Sequence, residues 1–128
     1  MKLEDLGRRA VACKHWRWMD GMTVHGLPTY RVVSNNCDGH TYRTDGYDSD
    51  SLRDCVPDLS DPATLGCLLA LVRKAWGRPF WVEGDPRSMG ERPDEWIGVL
   101  FEGRFATCPI VHASTEAEAL VAALEAAP

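Results

Sequence analysis

The sequence predicts an α+β fold: an antiparallel sheet with two to three helices packed on it, in the order α-β-β-α-β-β-β-α. Three observations carry this. Apolar residues recur at three- and four-residue steps in three stretches, near both ends of the chain and in its middle. Short β-prone runs lie between those stretches, and two pairs of runs are joined by turn-like connections. No internal repeat and no linker interrupts them, so residues 1–128 are expected to form a single domain.

Taken in order, Leu3, Leu6, Ala10, Cys13 and Trp16 fall on one face of a helix over 3–16, after which Gly21 and Gly26 break the pattern. "TYRVVS" and "HTYR" are strand-like and flank "NNCDG", whose residue types tolerate a tight turn, so a hairpin is expected over 29–43. Residues 44–61 read as a polar loop rich in aspartate. Its end is punctuated by Ser60 or Asp61 as cap and Pro62 as first helical residue, with Gly77 as the stop. Leu65, Leu68, Leu69, Val72 and Trp76 form the apolar stripe between them. Three extended runs follow: 79–83, 95–101 and 104–113. The last two are separated by Glu102 and Gly103, and a loop over 84–94 precedes the second run. Thr115 and Glu118 fit a capping box that opens a final helix, with Ala117, Leu120, Val121 and Leu124 facing inward.

Composition narrows the possibilities. A chain of 128 residues with 45% hydrophobic and 26% charged residues is ordinary for a globular protein. No apolar run approaches the ~20 residues of a membrane span. "MKLEDLGRRA" mixes acids with bases and lacks the apolar stretch of a signal peptide, so a cytoplasmic location is expected. Five cysteines without close CxxC spacing then read as free thiols, with Cys67 and Cys108 as small core residues. The net charge of −5 is uneven: about +3 over 1–43, −5 over 44–61 and −3 over the remainder. That balance argues against general nucleic-acid binding.

Residues 57–127 resemble small phage-encoded proteins of the phage ABA sandwich type. The resemblance rests on "PDLSDPATLGCLLALVRKAWG", "WVEG", a tryptophan-containing strand and "ASTEAEALVAALEAA". The whole chain, including "LGRRAVACKHWRWM", is similar to uncharacterised proteins from phages. These motifs are caps and packing positions, so the resemblance implies a phage origin and a small accessory role, in the host cytoplasm, without implying a reaction.

Several residue groups have the types that carry chemistry. Cys13, His15, Cys37 and His40 supply the donor set of a tetrahedral zinc site. On a helix, however, Cys13 and His15 would point about 200° apart, so no metal is expected. The acidic run lacks the glycine and glutamate of a calcium loop. Cys108 and His112, four apart on a strand, would be about 13 Å distant, and no nucleophile motif occurs, so no catalytic residue and no cofactor are expected. What remains is "ACKHWRWMDGM" over 12–22, where bases and aromatics concentrate. Trp16 is expected to turn inward and Trp18 to be more exposed. Lys14, His15, Arg17 and Trp18, with Arg31 and Arg43 on the hairpin, are the candidate ligand-binding residues. Stacking and charge there suit a nucleotide-like small molecule.

The functional expectation is therefore a non-enzymatic phage protein that counters a host defence by binding. One form is a sponge that sequesters a nucleotide-derived immune signal, with a possible homo-oligomer enclosing the ligand. The alternative is an inhibitor of a host defence protein such as a nuclease, in the manner of an anti-CRISPR. It would present Asp45, Asp48, Asp50 and Asp54 to a basic surface. A zinc-stabilised structural module ranks third.

Overall fold

A computed structural model of the protein describes residues 2–35, 39–44, 47–52, 55–84, 95–103 and 106–128, and for 27–30, 33–35, 39–44, 47–51 and 106 it describes the backbone alone. The elements are α1 (Leu3–Ala12), β1 (Thr23–Val24), β2 (Leu27–Asn35), β3 (Gly39–Thr44), β4 (Tyr47–Ser51), α2 (Pro62–Trp76), β5 (Phe80–Gly84), β6 (Trp96–Gly103), β7 (Ala106–Ala113) and α3 (Glu116–Ala126). This is the predicted α+β class with the predicted alternation, to which β1 and β4 are added around the hairpin β2–β3. The strands form two antiparallel sheets, β1-β2-β3-β4 and β5-β6-β7, where the sequence suggested one. The outer edge of β1 is closed by another segment: His25 N–H donates to the Val56 carbonyl at 2.7 Å and Asp58 N–H to the Thr23 carbonyl at 2.9 Å. Backbone groups bonded in this way have none left to extend the ladder there.

The chain clusters into two compact units, Met1–Ala12 with Trp16–Cys67, and Cys13–His15 with Leu68–Pro128. In the first unit, α1 buries Leu6 and Ala10 while Leu3 stays 39% exposed. Gly7 faces Val56 and Pro57 so closely that a Cβ would overlap the Val56 side chain. The helix ends at Ala12, four residues before the predicted end. Cys, His and Trp are weak helix formers, and the two tryptophans that follow meet each other in a way a helix forbids. The predicted polar loop 44–61 is also corrected. Tyr47–Ser51 is a strand, and Leu52 and Leu59 are 7% and 2% exposed, so both belong to the core with Met22, Val24 and Val32. Aspartate and serine are poor strand formers, which hides an edge strand spelled "YDSDS".

Asp61 caps α2: its carboxylate accepts from Thr64 N–H at 2.9 Å, and its carbonyl accepts from Leu65 N–H at 3.1 Å. At the other end Gly77 adopts φ +65° and donates its N–H to the Arg73 carbonyl at 2.9 Å, the left-handed stop that glycine permits. The buried stripe of α2 is rotated from the expected one. Thr64, Leu68, Leu71 and Val72 are within 3% of full burial, whereas Leu65, Leu69 and Trp76 are half-buried.

In the second unit α3 packs across all three strands of its sheet. Thr115 caps it by accepting from Glu118 N–H at 3.1 Å, and the Glu118 carboxylate reaches back to Ser114 N–H at 3.1 Å, a capping box displaced by one residue. Ala117, Ala119, Leu120, Val121, Ala123 and Leu124 are buried. They share the core with Phe80, Ile97, Val99 and Leu100. Gly98 makes the close packing of Phe80 possible, since a Cβ there would lie 2.8 Å from Phe80 Cζ and 2.5 Å from Val111 Cγ2. The hairpin β6–β7 pairs as far as Gly103↔Ala106, so β6 runs two residues beyond the expected end of its run at Phe101. Helix α2 is tied to this unit by Arg73 Nε–H donating to the Phe80 carbonyl at 2.8 Å and Trp76 Nε1–H to the Ala123 carbonyl at 2.9 Å. Most of the predicted 84–94 loop lies outside the described residues.

Candidate functional site

The stretch 12–22 is a connection and not a helix end. After Ala12 the chain turns through Cys13–His15, runs without regular structure through Trp16–Met19, and turns again at Asp20–Gly21, where Gly21 has φ +94°. Trp16 and Trp18 meet edge to face, with centroids 5.5 Å apart and planes at 82°. Residues two apart on a helix point away from each other, so this pair can form only because α1 has already stopped. Such a contact adds about 0.5–1.5 kcal/mol beyond burial. Both rings are half-buried, so Trp16 is less enclosed than its helical position implied, and Arg17 between them is exposed. The Trp16 indole N–H is buried without a hydrogen-bond partner among the described residues.

Of the other predicted ligand-binding residues, Lys14 and His15 belong to the second unit. His15 Nε2 lies 2.8 Å from the Pro128 carbonyl, and Lys14 is exposed. Arg31 and Arg43 are brought together: they are directly opposed in the β2–β3 register, and Asp48 is opposite Arg43 in the β3–β4 register. Arg31 is neutralised from the side, because its guanidinium lies 3.4 Å from the Asp61 carboxylate and donates to the Gly21 carbonyl at 2.8 Å. The Arg31 side chain nevertheless remains 52% exposed. In the backbone register, Arg31, Arg43 and Asp48 therefore hold facing positions on three neighbouring strands.

Beneath Arg31 is a polar hub that the sequence reading missed. The buried Thr64 hydroxyl donates to the Asp61 carboxylate at 2.9 Å, accepts from Thr23 N–H at 2.9 Å, and is 3.1 Å from the Thr23 hydroxyl. Burial pushes the Asp61 carboxyl up, but the Thr64 amide and hydroxyl and the Arg31 guanidinium outweigh it and hold the group below its usual value. The only trace in the sequence is a threonine three residues after a capping aspartate. Nearby, burial and then the Asp61 and Asp20 charges push the Cys67 thiol up. Its Sγ lies 3.7 Å from the Asp20 carbonyl, and it is half-exposed rather than in the core, as is Cys108.

Among the remaining candidates, Asp45 and Asp54 lie outside the described residues, and Asp48 and Asp50 sit on β4, at the edge of the first sheet. Cys37 likewise lies outside the description, and only the backbone of His40 is described. Among the described residues no group of three or more histidines, cysteines or acids is placed to hold a metal. Cys108 Sγ is 3.7 Å from the Pro109 carbonyl, and His112 is exposed. No helix of the described residues is long and apolar enough to cross a membrane. Comparison with known proteins found no match among family models, curated proteins or solved structures.

Proposed function

We propose that the protein acts by binding and not by catalysis, as a phage accessory protein that counters a host defence by sequestering a nucleotide-derived signal. The observation that carries the reading is the half-exposed Trp16–Trp18 pair, with the exposed Arg17 between the two in sequence. A planar base gains about 1–3 kcal/mol by stacking on such a ring, and a guanidinium beside it supplies charge for a phosphate. Arg31, bonded to the Gly21 carbonyl three residues beyond Trp18 and still 52% exposed beside Asp61, is a further donor in the same unit, with Arg43 opposite it in the strand register. The phage assignment rests on the resemblance of the capped helices and the strand meander.

Thermal unfolding in the presence of micromolar linear and cyclic nucleotides tests this. A ligand at one hundred times its Kd adds about 2.7 kcal/mol to stability. That gain should vanish in the Arg17→Ala/Trp18→Ala variant and persist when Asp45, Asp48, Asp50 and Asp54 are changed to Asn. A second reading is favoured by one feature, that β4 is an edge strand carrying Asp48 and Asp50. If the aspartate variant alone abolishes protection of a phage from host defence, the protein inhibits a basic host protein and the nucleotide reading fails.

A further inference from the structure

We infer a second anion-binding site, in the second unit, that takes phosphoryl groups at the end of α2. Arg73, Lys74, Gly77, Arg78 and Pro79 line an open depression of about 530 Å³. Three bases, Arg73, Lys74 and Arg78, are on its rim. Complementing the helix dipole accounts for Arg73 and Lys74, which lie in the last turn. It does not account for Arg78, which follows the Gly77 stop and still turns to the same depression.

Arg73 is also held in place. Its Nε–H is spent on the Phe80 carbonyl at 2.8 Å while the side chain remains exposed, so both terminal amino groups are presented as a fixed fork. A fork of this kind suits the oxygens of a phosphate, and Lys74 adds a mobile point charge beside it. Glu102 lies against the site, 3.8 Å from Arg78, with both side chains about half-exposed. Gly77 and Pro79 leave the floor free of large side chains. The ligand class is an oligophosphate, carried either by a free nucleotide or by a nucleic-acid strand.

The site is independent of the tryptophan pair, so it can fail without that reading. Binding of tripolyphosphate to the full chain at low salt is the test, with a nucleoside triphosphate and a single-stranded oligodeoxythymidylate as parallel ligands. Lys74→Ala/Arg78→Ala should weaken tripolyphosphate at least about tenfold and flatten its salt dependence by roughly one unit of slope per cation removed. Both residues are exposed, so an unchanged melting temperature verifies the fold. Glu102→Gln should tighten binding, and Arg17→Ala/Trp18→Ala should leave it unchanged. A nucleoside triphosphate tighter than both other ligands identifies a nucleotide source, and a tighter oligonucleotide identifies a strand. Absence of tripolyphosphate binding, or binding that Lys74→Ala/Arg78→Ala leaves intact, overturns the site.

Discussion

The two units are held together by different means. The second has an apolar centre: Phe80 over Gly98, Val99 and Leu100 on β6, and a run of buried alanines and leucines on α3. The first adds to its buried Leu6, Met22, Val24, Val32, Leu52 and Leu59 a buried hydroxyl hub, in which Thr64 joins β1 to the cap of α2 and Asp61 joins that cap to Arg31 on β2. Apolar packing is non-directional and tolerates small losses. A buried hydrogen-bonded hub is directional, and each member stripped of its partner bears a desolvation cost. The first unit, which carries the candidate ligand surface, is therefore the one whose geometry depends on a few polar atoms.

The largest effect should come from the apolar side. Leu68→Ala removes a fully buried side chain and should cost about 2–5 kcal/mol in chemical denaturation. Leu69→Ala, at a half-buried position, should cost around 1 kcal/mol. Equal losses at the two positions would mean that α2 presents the face the sequence suggested, not the one observed. Next comes the hub. Thr64→Val keeps shape but takes the acceptor from Thr23 N–H and one of its donors from the Asp61 carboxylate, which keeps the residue-64 amide and Arg31, and should cost roughly 1–3 kcal/mol. Thr64→Ser, which keeps the hydroxyl, should recover most of that. If Val and Ser behave alike, the hub is not what orders the first unit.

The same contrast explains what could be read from the sequence. The second unit is largely legible: strands with an apolar face, a helix with a capping box, and the Gly77 stop of α2 are local signals that agree with one another. Even there the buried stripe of α2 was misplaced, because Leu65 and Leu69 are as apolar as Leu71 and periodicity alone does not choose between adjacent faces. The first unit was legible in its hairpin and little else. The edge strand β4 has polar sequence, and α1 stops where tertiary contact between Trp16 and Trp18 wins over helical spacing. Thr64 becomes a hub only through a partner 41 residues earlier. As for the candidate site, the aromatic and basic residue types were visible, but their interleaving with acids was not. The Arg43–Asp48 register depends on a strand that the sequence reading treated as a loop.

A smaller effect separates the units by pH. The folded Asp61 carboxyl titrates below its usual value, so its contribution is present above the ordinary carboxylate range near pH ~4 and is lost as pH falls through the lower folded value. Asp61→Asn keeps an effective cap but removes the charge facing the half-exposed Arg31. It should cost under about 1 kcal/mol at neutral pH, and the deficit should close as acid protonates the wild-type carboxyl. Denaturation midpoints of both proteins across pH 2–7 would show this. A deficit that persists at the acid end would assign the loss to cap geometry and not to charge.

The smallest effect has the opposite sign and uses two helical glycines. Gly66 lies in α2 with no atom within 4 Å of where a Cβ would stand, and it is exposed. Gly66→Ala should therefore stabilise the protein by about 0.5–1 kcal/mol, since alanine loses less backbone freedom on entering a helix and meets nothing there. Gly7, in α1, has the same intrinsic preference against it, but its Cβ position is occupied by the Val56 side chain and approached to 3.1 Å by the Pro57 carbonyl. The Pro57 carbonyl is backbone in a segment already bonded to β1 on either side, so it cannot retreat without breaking the edge that closes the first sheet. Overpacking of about 1–3 kcal/mol then exceeds the helical gain, and Gly7→Ala should destabilise. Melting curves of the two variants side by side decide the matter, because propensity alone would stabilise both. Opposite shifts mean that the α1 contact with 56–57 is tight enough to reverse the intrinsic preference, whereas two positive shifts would show that this corner of the first unit gives way.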